Sequence, residues 1–214
     1  MRRKLKRKSQ SKIESRTVPN SKNSIVVMGL GNPGAKFERT RHNVGYHVVN
    51  LVLDERRGKL RRGFFRRYSY CELTNGPGHQ SLVLVRSNSY MNRVGDIVPE
   101  LLRRYRAAPE RFMVVVDNVD LMPGMCRIKR GGGDAGHNGL KSVVRALGHG
   151  DFYRLYIGVG RPPGTSLVDH VLGVPDKDDL ADIDRACVRA SRGVIELAYR
   201  PISRMMEEIN HREA

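Results

Sequence analysis

Short apolar runs alternate with segments of helical periodicity along this chain, and this alternation constrains the fold more than any other feature. Four short runs, most of them β-branched, have the character of buried strands: residues 25–30, 81–85, 112–116 and 155–159. Between the runs, apolar residues recur at helical spacing in residues 44–55, 97–105 and 139–147, and Thr40 or Asn43 is expected to cap the first of these helices. The alternation predicts an α/β fold: a single three-layer domain with a mixed, mostly parallel central sheet flanked by helices.

Two further patterns complete the predicted domain, residues 23–214. Residues 68–73 and 81–85 flank a turn rich in glycine and proline, which favours an antiparallel hairpin within the sheet. Residues 176–213 are highly charged and predict one or two closing helices, interrupted at Pro201.

The chain is strongly basic, with 39 Lys and Arg against 22 Asp and Glu and a formal net charge of +17. Residues 1–22 hold nine of these bases and one acid, with few apolar residues between them, and predict a disordered basic tail. An organellar transit peptide is the alternative interpretation of this tail. Because the remainder is basic as well, a polyanionic partner such as nucleic acid or an anionic membrane surface is favoured, and the shortage of apolar anchors in the tail argues against the membrane.

Other features narrow the cellular setting. No run of 18 apolar residues and no apolar segment of the signal-peptide type occurs, so we expect a soluble cytoplasmic protein without a membrane partner. Cys71, Cys126 and Cys187 are far apart and form no C-x-x-C pair. This spacing argues against disulfides and against a cysteine zinc site, and we expect no metal or cofactor.

The first predicted strand leads into Gly29, Gly31 and Gly34, which have the G-x-G-x-x-G spacing of dinucleotide-binding loops. In a dinucleotide-binding site, such a loop leads directly into a helix, and an acidic residue lies at the end of the next strand. Here Pro33 removes an N–H donor from the loop, and the helical pattern starts about ten residues later. Asp54, at the required distance, falls within that helix. The pattern therefore predicts a tight turn and not a dinucleotide site.

Polar side chains follow the ends of several predicted strands or open the next helix. They are Asn32 in the glycine turn, His42 before the helix 44–55, Asn92 after the second strand, Asp117 at the end of the third, and His137 with Asn138 before the helix 139–147. Taken singly, the asparagines can be helix caps and the carboxylate can accept from loop N–H groups. Because such sheets gather their sites at the carboxyl ends of the strands, we expect the set to converge on one crevice.

The residue types indicate hydrolysis by activated water. No G-x-S-x-G elbow, Cys–His pair or H-E-x-x-H motif occurs. A histidine paired with an aspartate can take a proton from water, and asparagine amides can orient a carbonyl and donate to the developing oxyanion. The crevice is therefore predicted to cleave an acyl ester, and the basic charge suggests that the alcohol part of the ester is nucleic acid.

Five motifs occur in order along the chain: GLGNPG, TRHNVG, YMN, D..D..PG and GGG..GHNGLK. In these motifs the chain resembles the bacterial-type peptidyl-tRNA hydrolase family, from about residue 25 to near the C-terminus. The resemblance implies a monomeric α/β enzyme. It also implies that the enzyme cleaves the ester between a peptide and the 3′ end of tRNA and so recycles tRNA from aborted translation.

The resemblance also implies roles for single residues. His42 matches the catalytic base and Asp117 the acid that orients it. The remaining matches are Asn32, Asn92 and Asn138 as substrate-binding amides, Met91 as their apolar neighbour, Phe37 and Tyr90 beside them, and Arg127, Lys129 and Arg154 as tRNA contacts. Phe37 stands where the family usually has tyrosine, and Tyr90 where it usually has phenylalanine.

Further departures from the family concern the contacts to tRNA. Asn118 replaces a common glutamate, Asp134 a common histidine, and the loop 164–169 lacks a lysine. These changes suggest that tRNA contacts shift toward the tail and toward a run of arginines, Arg61, Arg62, Arg66 and Arg67.

The competing interpretation is a non-catalytic RNA-binding relative that acts in organellar RNA splicing. It would bind RNA with a steep salt dependence and cleave no ester.

Overall fold

The structure is a computed structural model that describes residues 24–63, 66–76, 78–161, 164 and 166–211. The predicted tail, residues 1–22, lies outside this range. The strands are β1 (Ser24–Gly29), β2 (Arg61–Arg62), β3 (Tyr68–Leu73), β4 (Ser81–Ser87), β5 (Phe112–Asn118), β6 (Cys126–Arg130) and β7 (Tyr153–Gly158). The α-helices are α1 (Val44–Glu55), α2 (Val98–Tyr105), α3 (Asn138–Leu147), α4 (Leu167–Leu172), α5 (Lys177–Glu196) and α6 (Ile202–His211). Among the described helices, none has both the length and the apolar character that crossing a bilayer requires.

The strands form one sheet in the order β2-β3-β4-β1-β5-β7-β6. The four central strands, β4, β1, β5 and β7, are parallel to their neighbours within this group. The edges are antiparallel, because β3 pairs with β2 and β4, and β6 pairs with β7. The α/β fold with a mixed sheet is thus confirmed, and the predicted parallel character belongs to its centre.

Alternate residues of the central strands build a separate core on each face of the sheet. Val27 and Val115 face α1, α5 and α6, whereas Val26 and Val114 face α2, α3 and the 3₁₀ helix Met91–Ile97. All four valines are fully buried. Burial on both faces explains why these strands are continuously apolar, and it confirms the three layers.

The predicted strands, the hairpin and the closing helices on either side of Pro201 are confirmed. Three short elements were not predicted: β2, β6 and α4. The edge strand β6 alternates buried and exposed residues but carries three bases in five positions, so its apolar signal is weak. Asn210 of α6 caps this edge, because its side chain accepts from the N–H of Ile128 at 2.9 Å and donates to its carbonyl at 2.9 Å.

Glycines let α1 approach the carboxyl ends of β1 and β5. A Cβ on Gly29 would lie 2.2 Å from the carbonyl oxygen of Gly45, and a Cβ on Gly45 would lie 2.4 Å from that of Val115. The expectation that Thr40 or Asn43 caps α1 is wrong, because neither side chain bonds to the N–H groups of its first turn. The Thr40 hydroxyl donates to the carbonyl of Phe37 at 2.8 Å instead, and Asn43 serves the site described next.

Candidate active site

A cleft of about 320 Å³ opens at the carboxyl ends of β1 and β5. The glycine turn after β1, the start of the 3₁₀ helix at Met91, the end of β5, the start of α3 and the helix α4 form its walls. All six polar side chains expected to converge line it together: Asn32, His42, Asn92, Asp117, His137 and Asn138. The convergence expected from the strand ends is therefore present in the structure.

Asp117 and His42 form a buried pair at the floor of the cleft. Asp117 is near the end of β5, and His42 lies in the 3₁₀ turn Arg41–Asn43 that precedes α1. The Nδ1 atom of His42 lies 3.0 Å from Oδ1 and 3.1 Å from Oδ2 of Asp117. Since a carboxylate can only accept, Nδ1 carries the proton and donates it.

A second histidine, His137, donates to the same carboxylate oxygen, Oδ1 of Asp117. Its Nε2 lies 2.9 Å from Oδ1 of Asp117, and its ring centroid lies 4.8 Å from that of His42. Its Nδ1 accepts from the backbone N–H groups of Gly139 at 3.0 Å and Leu140 at 3.2 Å, so His137 is the N-cap of α3. Asn138, for which capping was an alternative, is the first residue of the helix instead.

These hydrogen bonds determine where the imidazole protons are. The Nδ1 atom of His137 accepts two N–H bonds, so its proton lies on Nε2 and points at Asp117. The proton of His42 lies on Nδ1, which leaves the Nε2 atom with a free lone pair in a ring that lines the cleft. The geometry therefore supplies one imidazole that can accept a proton and one that cannot.

Asp117 remains ionised while it accepts from both rings. Burial alone would raise its pKa, but the charge interactions and hydrogen bonds with His137 and His42 outweigh burial and hold the pKa below the usual aspartate range. The carboxylate is therefore available to stabilise an imidazolium at His42.

The ligand atoms of His42, Asp117 and His137 lie within 4.8 Å of one another, a spacing that could suit a metal ion. A metal ligand needs a free lone pair, and the Nε2 of His137 carries a proton because its Nδ1 is occupied by the start of α3. Hydrogen bonding to the carboxylate, and not coordination of an ion, accounts for the closeness of the three side chains.

Asn32 is fixed by contacts from two sides. Asn43 accepts from its backbone N–H at 2.8 Å and donates to its carbonyl at 3.0 Å. The Asn32 side-chain oxygen accepts from the backbone N–H of Met91 at 2.8 Å. Because its oxygen is engaged in this way, the amide of Asn32 is oriented with its N–H₂ group available to the cleft.

The other predicted substrate-binding residues differ in exposure. Asn92 and Asn138 are exposed on the cleft wall, and Met91 is buried against Gly139, where a Cβ would lie 2.5 Å from the Met91 sulfur. Tyr90 is 59% exposed and lines the cleft. Phe37 does not line it, and its ring instead packs edge-on against Tyr90 at 6.4 Å between centroids.

The three predicted tRNA contacts divide into two groups. Arg127 and Lys129 are exposed on β6. Arg154 is 1% exposed, and its guanidinium donates to the carbonyls of Gly132 and Gly133 in the loop before α3. A buried guanidinium with these partners is not available to a phosphate, so the structure corrects the expectation of a direct contact. Arg154 holds the glycine loop in place.

Sequence reasoning missed three contributors to the site. His137 has no predicted role, because Asn138 stands directly before the predicted helix 139–147 and is of the residue type that usually caps a helix. Asn43 was considered only as a cap. The apolar wall of α4, formed by Leu167, Val168, Val171 and Leu172, had no signal, because six residues are too few to display helical periodicity.

Comparisons with known proteins place this geometry in context. A family model described as "Peptidyl-tRNA hydrolase" matches residues 26–214. The peptidyl-tRNA hydrolase of Bordetella avium (strain 197N) is 38% identical over 181 residues, which cover 82% of this chain and 85% of that protein. That of Methylococcus capsulatus is 38% identical over 188 residues, covering 86% and 98%. A crystal structure of peptidyl-tRNA hydrolase from Acinetobacter baumannii superposes with a TM-score of 0.80 at 34% identity, covering 88% of this chain and 95% of that one.

Proposed function

The chain belongs to the peptidyl-tRNA hydrolase family, and we propose that it cleaves the ester between a peptide and the 3′ end of tRNA with water activated by His42. One observation carries the mechanism. His42 donates to Asp117 through Nδ1, which leaves the Nε2 lone pair free in a ring that lines the same cleft as Asn32, Asn92 and Asn138. A non-catalytic splicing relative is not favoured, because the relatives described above are named as hydrolases and the full set of polar groups converges on the cleft.

The reaction starts with the water molecule. The Nε2 atom of His42 accepts a proton from water, and the oxygen attacks the ester carbonyl of the peptide. Asp117 stabilises the imidazolium that forms and keeps its other nitrogen protonated. His42 then returns the proton to the 3′ oxygen of the ribose as this oxygen leaves. A positioned base of this kind accelerates a reaction by about 100- to 10,000-fold.

The asparagines orient the substrate and stabilise the oxyanion. The N–H₂ group of Asn32 is directed by its bond to Met91, so it donates without having to reorganise. Asn138 and Asn92, which line the same cleft, supply further amides. Removing one such donor from an oxyanion site costs about 3 kcal/mol of transition-state stabilisation in a known hydrolase.

The apolar wall of the cleft holds the peptide. Leu167 and Val168 of α4 line the cleft together with Met91 and Leu140, and Leu167 and Val168 are 42% and 59% exposed. Such surfaces bind apolar side chains and exclude water from the reacting ester. On the nucleic-acid side, Arg127 and Lys129 bind phosphates of the tRNA from the exposed face of β6.

Several companion proposals concern the setting of the enzyme. We place it in the cytoplasm, where peptidyl-tRNA arises, as a monomer, with residues 23–214 as the catalytic domain. The basic tail, residues 1–22, adds sequence-independent affinity for RNA through its nine cations.

One assay tests the function and the base together. The purified protein is given N-acetyl-aminoacyl-tRNA or unblocked aminoacyl-tRNA, and release of the acylated amino acid is measured for the wild type and for His42→Ala. The wild type should hydrolyse the blocked substrate selectively, and His42→Ala should lose several orders of magnitude in kcat. Full turnover by His42→Ala would refute the assignment of the base, and no turnover by the wild type would refute the function.

A further inference from the structure

A surface of arginines and tyrosines lies beside the cleft, on the face of the sheet that α2 covers. Its cations come from the edge strand β2, the segment before β3, the 3₁₀ helix after β4 and the helix α2. We name it the arginine surface and define it by Arg61, Arg66, Arg67, Arg93, Arg103 and Arg104.

Aromatic rings order two of these arginines. The Arg66 guanidinium lies over the rings of Tyr68 and Tyr70, at 5.5 and 5.8 Å from their centroids. Arg104 lies over Tyr70 at 4.8 Å and over Tyr105 at 5.2 Å. Stacking fixes a guanidinium without occupying all of its donors, which lowers the entropy lost when it binds a phosphate.

Three carboxylates only partly neutralise the surface. Asp96 is shared by Arg93 at 3.1 Å and Arg67 at 3.7 Å. Glu100 pairs with Arg66 at 3.4 Å, and Glu72 with Arg104 at 3.5 Å. Six arginines against three carboxylates leave an excess of positive charge. Arg67 and Arg93 remain 64% and 59% exposed, so this charge is accessible from solvent.

The arginine surface is continuous with the cleft. Arg93 directly follows the cleft residue Asn92, whose carbonyl accepts a bond from Arg145 of α3 at 3.4 Å. The carbonyl of Arg67 accepts from the N–H of Asn88, in the segment between β4 and the cleft residue Tyr90. The arginine surface is therefore adjacent to a polyanion whose end occupies the cleft.

We propose that the arginine surface binds backbone phosphates of the substrate tRNA, as a contact separate from β6, which lies at the opposite edge of the sheet. The inference rests on the proposed function, because it assigns the contact to the same substrate. A nucleic acid fits better than a bilayer. Among the described residues, the six arginines enclose none of the exposed large apolar side chains, which are Tyr90, Met122, Leu167, Val168, Leu172, Val174, Val188 and Tyr199.

The test compares two variants of the full-length chain with equal loss of charge. The first carries Arg67→Gln, Arg93→Gln and Arg103→Gln. The control carries Arg185→Gln, Arg192→Gln and Arg204→Gln, which change exposed arginines on α5 and α6 beyond the other face of the sheet. Binding of deacylated tRNA is measured by fluorescence anisotropy over a range of salt concentrations, and thermal unfolding verifies that each variant is folded.

The first variant should bind tRNA about tenfold or more weakly near 0.1 M salt, and its slope of log K against log salt should fall by about one per arginine removed. The control should keep the slope of the wild type. In hydrolysis, the first variant should show a higher KM and the same kcat.

An unchanged slope in the first variant, or an equal change in the control, would overturn the proposal. The proposal would also be overturned if the first variant lost binding to phosphatidylserine vesicles but kept its binding to tRNA, because the surface would then be a membrane contact. Deacylated tRNA contains no ester to cleave, so this result stands apart from hydrolysis. A failure of the proposed function would appear as absent turnover in the wild type, whatever the binding slopes.

Discussion

His42 and His137 bind the same carboxylate, but they do so through different ring nitrogens. His42 uses Nδ1 and keeps Nε2 free in the cleft, whereas His137 uses Nε2 and has its Nδ1 occupied by the first N–H groups of α3. The backbone around each ring selects the nitrogen, since His42 lies in a 3₁₀ turn and His137 at a helix N-cap. Two residues of the same type beside one aspartate therefore have different capacities: one can accept a proton and the other positions the acid.

The largest expected loss of activity comes from replacing Asp117, the carboxylate that accepts from both rings. In Asp117→Asn, the new amide can donate to Nδ1 of His42 and move the proton of that ring to Nε2, the atom that must be free. We expect kcat to fall by about 1,000- to 10,000-fold, as in other histidine–aspartate systems. Steady-state hydrolysis of N-acetyl-aminoacyl-tRNA measures the loss, with a thermal unfolding curve to verify folding. A loss below about tenfold would show that the carboxylate does not determine the tautomer.

A matched pair of variants separates the two histidines directly. His42→Asn removes the base and should lower kcat by about 100- to 10,000-fold. His137→Asn removes one hydrogen bond to Asp117 while the bond from His42 remains, so we expect a loss of about tenfold, the value of one charge-assisted hydrogen bond. Equal losses in the two variants would contradict the different roles assigned here, and a larger loss at His137 would reverse them.

Sequence reasoning placed these residues at one edge of the sheet, because β-branched runs and helical spacing are local signals and parallel strands bring their carboxyl ends together. It identified His42 and Asp117 through their position after strands and through the resemblance to a family. The division of labour between the histidines could not be predicted in this way. It depends on which ring nitrogen the fold presents, and this follows from the exact start of α3 and the tight approach of α1 to β1.

The position of the Arg154 side chain could not be predicted from the sequence either. In the sequence, Arg127 and Lys129 of β6 and Arg154 at the start of β7 are all basic, and all three are predicted to contact tRNA. Only tertiary packing distinguishes them: Arg154 points inward from β7 beneath the glycine loop, while Arg127 and Lys129 point outward from an edge strand. The charge of a residue was readable from the sequence, and the direction of its side chain was not.

The capping role of His137 can be tested apart from its bond to Asp117. His137→Ala loses the cap of α3 and should lower the free energy of unfolding by about 1 kcal/mol relative to His137→Asn, whose side-chain oxygen can still accept from the first turn. Urea unfolding of both variants measures this difference. If the two variants unfold at the same urea concentration, the cap is not what fixes the ring of His137.

The smallest expected effect is the absence of a titration at Asp117, the carboxylate that both histidines share. The pKa of Asp117 is held low against the effect of burial by its interactions with His137 and His42. A carboxyl with a depressed pKa in the folded state adds stability above its unfolded pKa, about 3.9 for aspartate, and this stability is lost only as the pH falls below that value. Asp117 should therefore stay ionised between pH 7 and pH 5. The ¹³C carboxyl resonance of Asp117, assigned by its absence in Asp117→Asn, should not move over that range. A resonance that moved between pH 7 and pH 5 would show that the carboxylate takes up a proton there, and Asp117 would not be a fixed negative charge that accepts from both rings.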